Sequence, residues 1–381
     1  MSAIERTRRA TASDLRIEEH SELGDLASAW DAMVDTLPLP TPFLRSWWLG
    51  SVAAGEPVFL IVLDGNEFIG GVALQRHTKS GCQWFEMLGD GPLEPDHLDL
   101  VAAQSRVADV ISAIAGWVRR PGNRVLELRG LVDASWLATA LPSWSSAREL
   151  QVAPFTTLPA TMPEYLAGRP GQVRSTIKRS TKRLAGAGIT ARVRDTSEID
   201  AALGDLRRLH DVRWGDQSSF LNSWSGFAAA MTAGSAAGEV RFTDLVDDTG
   251  RVIAIELELI VGRRASFYQA GRLDERELRG SGSVLKSAVI GRLIEDGCTE
   301  FDLLRGDESY KTDWATSKRR VVFARVGIGP VGIALASLAR LKRQAIDAGF
   351  GLRNRLRAQL DSVTKSISSS TAPTSDGSRS R

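Results

Sequence analysis

The stretch from 240 to 314 constrains the fold of this chain more than any other. It opens with an apolar-rich run, Val240 to Val246, followed by the turn signal Asp247-Asp248-Thr249-Gly250. A second run, Val252 to Val261, reads as the return strand, and Gly262-Arg263-Arg264 leads into a third, Ala265 to Gly271. Next comes Arg276-Glu277-Leu278-Arg279-Gly280-Ser281-Gly282-Ser283. Apolar residues then recur at helical spacing (Val284, Leu285, Ala288, Val289, Leu293, Ile294) up to Gly297. A further strand, Glu300 to Leu304, runs into the polar loop Arg305 to Lys311. The pattern is a three-strand meander, a Gly/Ser turn opening a helix, then another strand, which makes the fold α/β with a mixed sheet. Such a turn leaves unpaired backbone N–H groups at a helix N-terminus, where the helix dipole favours an anion. Arg279, Gly280, Ser281, Gly282 and Ser283 are therefore candidates for binding the pyrophosphate of a nucleotide-like cofactor.

At 381 residues the chain is long for one core, and two domains are expected. A net charge of +2 argues neither for nor against an acidic partner. The tail is basic, with eight Lys/Arg against three Asp/Glu from Leu341 to Arg381. Cys82 and Cys298 lie far apart with no CxxC spacing, so neither a disulfide framework nor a metal site is expected. The start lacks an apolar leader segment and no apolar run reaches about 18 residues, so a cytoplasmic protein is expected.

Residues 1–14 read as disordered. Leu23 to Val34 reads as an amphipathic helix, Pro57 to Leu63 and Phe68 to Arg76 as a hairpin across Asp64-Gly65-Asn66-Glu67, and Trp84 to Leu88 as a strand. A helix from about Ser105 to Trp117 and a strand from Arg124 to Leu128 follow. Gln172 to Leu184 is a basic helix carrying Arg174, Lys178, Arg179, Lys182 and Arg183. It is either a solvated face or a contact for phosphate or another polyanion. Ile199 to Trp214 is a second helix. Val321 to Val326 is a last strand, 329–361 reads as a basic amphipathic helical appendage, and 362–381 as a disordered tail. The appendage either packs on its own domain or lies on an anionic membrane surface.

The order strand, strand, strand, Gly/Ser turn, helix, strand resembles the acyl-CoA-binding half of GNAT acyltransferases. More narrowly, Phe301-Asp302-Leu303-Leu304-Arg305-Gly306-Asp307-Glu308-Ser309-Tyr310-Lys311-Thr312-Asp313-Trp314 resembles the terminal motif of the CelD-like acetyltransferases, relatives of the Fem-type peptidyltransferases with two GNAT-like halves. The basic helix and Leu209-His210-Asp211-Val212-Arg213-Trp214-Gly215 are similar to that family as well. The resemblance implies a degenerate half at 15–160, which shows no comparable turn, and an acyltransferase half at 161–328. It implies acetyl-CoA or another acyl-CoA as donor, with backbone N–H groups near Gln269, Ala270 and Gly271 facing the oxyanion. By association it also implies a saccharide or polysaccharide-precursor acceptor. One position departs from the usual GNAT turn: Glu277 stands where a cation or amide is common, flanked by Arg276 and Arg279. Fem-type relatives use aminoacyl-tRNA, which makes that donor the alternative. A silent binding protein is the third reading.

Transfer from a thioester by direct attack needs a base, oxyanion donors and an acid for the leaving thiolate. Asp302, Asp307, Tyr310 and His210 are the candidates for proton transfer. Arg213, Trp214, Arg305 and Lys311 are candidates for holding the acceptor. Asp302 inside a strand implies either an ion pair with Arg305 or a site facing substrate. His210 is either a proton acceptor or a hydrogen-bonded helix-end residue. Glu256 and Glu258 share one strand face, read as solvated or as reaching the acceptor.

Overall fold

The computed structural model describes residues 14–215, 218–306 and 308–342. In chain order the strands are β1 (Leu15–His20), β2 (Glu56–Asp64), β3 (Glu67–Lys79), β4 (Cys82–Met87), β5 (Val101–Ala102), β6 (Arg124–Val132) and β7 (Ser146–Thr157), then β8 (Thr190–Val193), β9 (Val240–Val246), β10 (Val252–Val261), β11 (Arg264–Arg272), β12 (Glu300–Asp302) and β13 (Ser317–Ile328). The helices are α1 (Ala27–Asp35), α2 (Ser46–Leu49), α3 (Val107–Val118), α4 (Trp136–Ala140) and α5 (Met162–Ala167), then α6 (Gly171–Gly186), α7 (Ile199–Trp214), α8 (Trp224–Ala236), α9 (Ser281–Glu295) and α10 (Ser309–Trp314).

All thirteen strands form one mixed sheet in the order β1-β2-β3-β4-β6-β13-β7-β12-β11-β10-β9-β8, with β5 on β3. The order is a palindrome in pairing type. β1, β2, β3 and β4 are antiparallel neighbours, β4 and β6 are parallel, and β6 and β13 antiparallel. From the other edge, β8 to β11 are antiparallel, β11 and β12 parallel, and β12 and β7 antiparallel. The fold is thus two halves of matching topology related about the β13–β7 seam. Each half gives its last strand to the other, since β7 pairs with β12 and β13 with β6. A cut at 160/161 therefore divides the sequence without dividing folded units. β7 carries Pro154, a residue that argues against a central strand. Here Pro154 keeps its carbonyl in use, accepting from Leu303 N at 2.8 Å.

The central strands are apolar on both faces because helices cover both. β2 reads Val58-Phe59-Leu60-Ile61-Val62, all buried. β10 is buried throughout except Ile260. The halves share core: Tyr268 of β11 packs its ring against Phe43, Trp48 and Phe227 at 5.4, 5.6 and 5.9 Å. Truncating such an aromatic costs about 3–5 kcal/mol. From 329 the chain is helical to 342, exposing Ile333, Leu338 and Leu341. The remainder of the expected appendage, the tail 362–381 and residues 1–13 lie outside the described residues. No described helix is long and apolar enough to cross a membrane.

Candidate active site

β11 pairs with β12 only from Arg264 to Ser266. Beyond Ser266 the two strands part, and the described sheet gives β11 no neighbour on that edge. A bulge accompanies the parting: Leu257 stands opposite Gln269 and Glu258 opposite Phe267, leaving Tyr268 unmatched.

A cavity of about 240 Å³ opens in the gap. Ala270, Gly271 and Arg272 of β11, Gly282, Ser283 and Lys286 of α9, Glu256 of β10, and Tyr310, Asp313 and Trp314 of α10 line it. Gly280 precedes α9 in the left-handed region at φ 87°, and a side chain there would run into Ser180 of α6, so the position requires glycine. Ser281 is fully buried with an unpartnered hydroxyl at the first position of α9. Gly282 is different. A Cβ there would meet only Arg272, at 3.7 Å from Nη1. The arginine-rich helix α6 lies over the turn, and the Arg183 guanidinium donates to the Glu277 and Arg279 carbonyls. A cation thus reaches the turn from α6, where Glu277 had pointed to its absence. Only the charge density of α6, not its docking, could be read in the sequence.

A second cavity, about 340 Å³, lies across the seam. The first half contributes Pro92, Leu93, Glu94 and Asp96, and the second contributes Tyr268, Gln269, Arg305, Glu308 and Lys311. The two cavities share Arg213, Phe267, Ala270 and Tyr310. Gln269, Ala270 and Gly271 therefore stand where the cavities meet, as do Arg213 and Tyr310. Tyr310 is 40% exposed as a residue. Lost hydration, then Glu308 and Glu256, raise its phenol above the ordinary value, so it holds its proton at neutral pH. Burial and then the charge of Arg272 lower the Arg213 guanidinium.

Asp302 is neither paired with Arg305 nor open to the cavities. Its carboxylate is fully buried and accepts from Arg264 Nη2 and Arg319 Nη1 at 2.5 Å each and from Leu304 N at 2.7 Å, with His97 Nε2 at 3.1 Å. Burial alone would raise its pKa; the charges of His97 and Arg264, with Arg319, overcome that and hold it well below the carboxylate range. Asp302 thus joins the halves, and its expected proton-transfer role lapses because its partners come from elements distant in sequence. Arg305 instead binds Asp96 of the first half, Nε to Oδ1 at 2.5 Å and backbone N to Oδ2 at 2.6 Å. Lys311 donates to the Arg305 carbonyl at 2.6 Å and meets Glu308 at 3.1 Å.

His210 lies outside both cavities. Its Nε2 is 2.9 Å from Ser218 Oγ, its ring packs on Phe220, and burial, then Arg213, lowers its pKa. This is the helix-end arrangement, and His210 is in the lining of neither cavity. Asp307 and the side chain of Trp214 lie outside the described residues.

Glu256 and Glu258 are not solvated, being 2% and 0% exposed, because α9 covers their face of β10. Lys286 Nζ donates to Glu256 Oε1 at 2.5 Å and sits 3.3 Å from the Phe267 ring centroid. Burial raises Glu256. It raises Glu258 further, with the charge of Glu256 beside it. Burial also lowers the Lys286 ammonium.

Residues 171–312, from α6 into α10, match the family model described as an acetyltransferase (GNAT) domain. The match assigns acyltransferase chemistry to the second half. Among solved structures, FemX resembles this chain at 12% identity and a TM-score of 0.60, over 81% of this chain and 96% of FemX. The C-terminal domain (DUF2156) of a putative lysylphosphatidylglycerol synthetase from Agrobacterium fabrum follows at 12% and 0.52, over 83% of this chain and 95% of that one. L-PGS from Bacillus licheniformis stands at 13% and 0.52, over 78% and 90%. At such identities the likeness concerns the fold alone. No curated protein matches.

Proposed function

With acyltransferase chemistry in the second half, we propose that the chain transfers an acyl group from acyl-CoA to an amine or hydroxyl. The donor lies in the cavity beneath the α9 turn and the acceptor in the one across the seam. The observation that carries this reading is the α9 turn itself. Gly282 and Ser283 in the first turn of α9 line the gap beside β11 at the positive end of the helix, and Arg183 and Arg272 add positive charge at its rim. The acceptor's nitrogen or oxygen attacks the thioester carbonyl carbon. The new C–N or C–O bond forms, the C–S bond breaks, and the acceptor gives up one proton to solvent water, from which Tyr310 regains the proton it passes to the thiolate. Backbone N–H groups at the end of β11, from Gln269 to Gly271, face the oxyanion. Tyr310, protonated and lining both cavities, supplies a proton to the leaving thiolate.

Resemblance to CelD-like proteins favours a sugar or polysaccharide precursor as acceptor, in the cytoplasm. Calorimetric titration with coenzyme A tests the donor. One site is expected, and no binding up to millimolar coenzyme A overturns the reading. A second donor, aminoacyl-tRNA, draws on the exposed cations Arg174, Lys178, Arg179 and Lys182 along α6. It predicts RNA binding that weakens steeply with salt, whereas coenzyme A binding changes far less.

A further inference from the structure

We propose that the helix 329–342, with Trp144 at its foot, docks this chain on an anionic lipid surface. The proposal is independent of the donor and acceptor of the acyl transfer.

The foot of the helix is fixed to the fold. Asn123, just before β6, accepts from Val331 N through its Oδ1 at 3.1 Å. A side chain at Gly332 would run into the Arg124 carbonyl, and one at Gly327 into the Gly332 carbonyl, so the helix leaves β13 with backbone pressed on backbone. Gly332 is buried and Leu335, Ala336 and Ala339 are half-buried, which marks the side turned toward the body.

The outer side is apolar. Val331, Ala334, Leu338 and Leu341 recur three and four residues apart, so they form one stripe, and all four are exposed. Trp144, in the loop between α4 and β7, is 63% exposed, and its indole N–H donates to the Gly327 carbonyl at 3.4 Å. Its ring therefore stands where the helix begins. Eight large apolar side chains are exposed among the described residues, and five of them (Trp144, Val331, Ile333, Leu338 and Leu341) belong to this helix and its foot. Scattered singly, such residues need no partner; gathered, they mark a surface that has one. A tryptophan, apolar over its ring and polar at its N–H, suits the boundary between lipid and water.

Charge decides what that partner is. Residues 329–342 contain no carboxylate, whereas Arg340 and Lys342 stand exposed in the last described turn. The sequence beyond adds Arg343, Arg353, Arg355 and Arg357 against Asp347. A second copy laid on the stripe would bring the same cations and no carboxylate of the helix to meet them. A sheet of anionic headgroups over acyl chains meets both features at once, taking the apolar stripe into its boundary and the cations at its surface.

The test uses the full chain, sedimented with vesicles of phosphatidylcholine and with vesicles of phosphatidylcholine and phosphatidylglycerol in equal parts. Wild type is expected to bind the mixed vesicles about tenfold or more tightly than the neutral ones, and less as salt rises. Leu338→Glu/Leu341→Glu, at two exposed positions, should weaken that binding by about tenfold or more. Arg340→Gln/Lys342→Gln leaves the apolar stripe whole and should lower binding to the mixed vesicles alone, with a flatter dependence on salt. No binding by wild type to the mixed vesicles, or binding that both double variants retain in full, overturns the proposal. A wild-type dimer in sedimentation velocity that Leu338→Glu/Leu341→Glu dissolves also overturns it, by giving the stripe to a second copy.

Discussion

After β4 the first half runs through residues 88–106 before α3 begins, whereas after β11 the second half reaches α9 through 273–280 alone. The two connections occupy equivalent places in the palindromic sheet. The short one ends in the left-handed Gly280 and presents the N-terminus of α9 to the strand gap. The long one crosses the seam and is fastened to Tyr268 and Arg305 of the other half. The parallel pairs differ to match. β4 pairs with β6 from Gln83 to Glu86, nearly its whole length, but β11 leaves β12 after Ser266. On the proposed reading, a repeated topology carries two specialised connections, one for the donor and one for the acceptor. The first half supplies Pro92, Leu93, Glu94 and Asp96 to the wall of the cavity it shares with the second.

Breaking the seam should have the largest effect. Asp302→Ala leaves buried His97 without its carboxylate and leaves Arg264 and Arg319 with Glu300 alone, and should cost about 3 kcal/mol in urea denaturation. Because the Asp302 carboxyl is held below its ordinary value, its contribution is fully present above about pH 4. It is lost as pH falls toward the folded value, so acid should unfold wild type more steeply than the variant. A variant as stable as wild type would show that the seam does not depend on this cluster.

Asp90, at the start of the long connection, sharpens the contrast on a smaller scale. Burial pushes its carboxyl up to about 6, against the nearby charge of Arg129. A raised carboxyl contributes stability that is full below about pH 4 and lost as pH rises through about 6, on the order of 1–3 kcal/mol. Asp90→Asn should flatten that slope in thermal melts at pH 4 to 7. An unchanged slope would remove Asp90 as its source. Arg183→Ala should act least, weakening coenzyme A by about 1 kcal/mol while thermal stability holds, because it removes a cation at the rim of the turn and leaves α9 intact.

The second half was legible in sequence where the signals were local. β9 and β10 run as their hydrophobic patterns indicate, and the Gly280 turn opens a helix as its composition requires. What depends on distant partners was not. Asp302 pairs with a histidine in the first half and an arginine beyond α10, which no spacing reveals. Glu256 and Glu258 lie in alternation along a strand, a pattern shared by solvated faces and by faces that a helix later covers. The crossing within 88–106 left no pattern, since the hydrogen bonds that carry it join Leu93 and Asp96 to Tyr268 and Arg305 in the second half.

The division of labour between the two connections is tested most directly by titrating coenzyme A into wild type, Gly282→Glu and Glu94→Gln. A Cβ at Gly282 would meet only Arg272, at ordinary contact distance, so the substitution adds negative charge to the turn at a position the backbone leaves open. Wild type and Glu94→Gln should bind at one site with equal affinity, and Gly282→Glu about tenfold or more weakly. Full affinity in Gly282→Glu, or a loss in Glu94→Gln as large as that in Gly282→Glu, would contradict the separation of donor and acceptor.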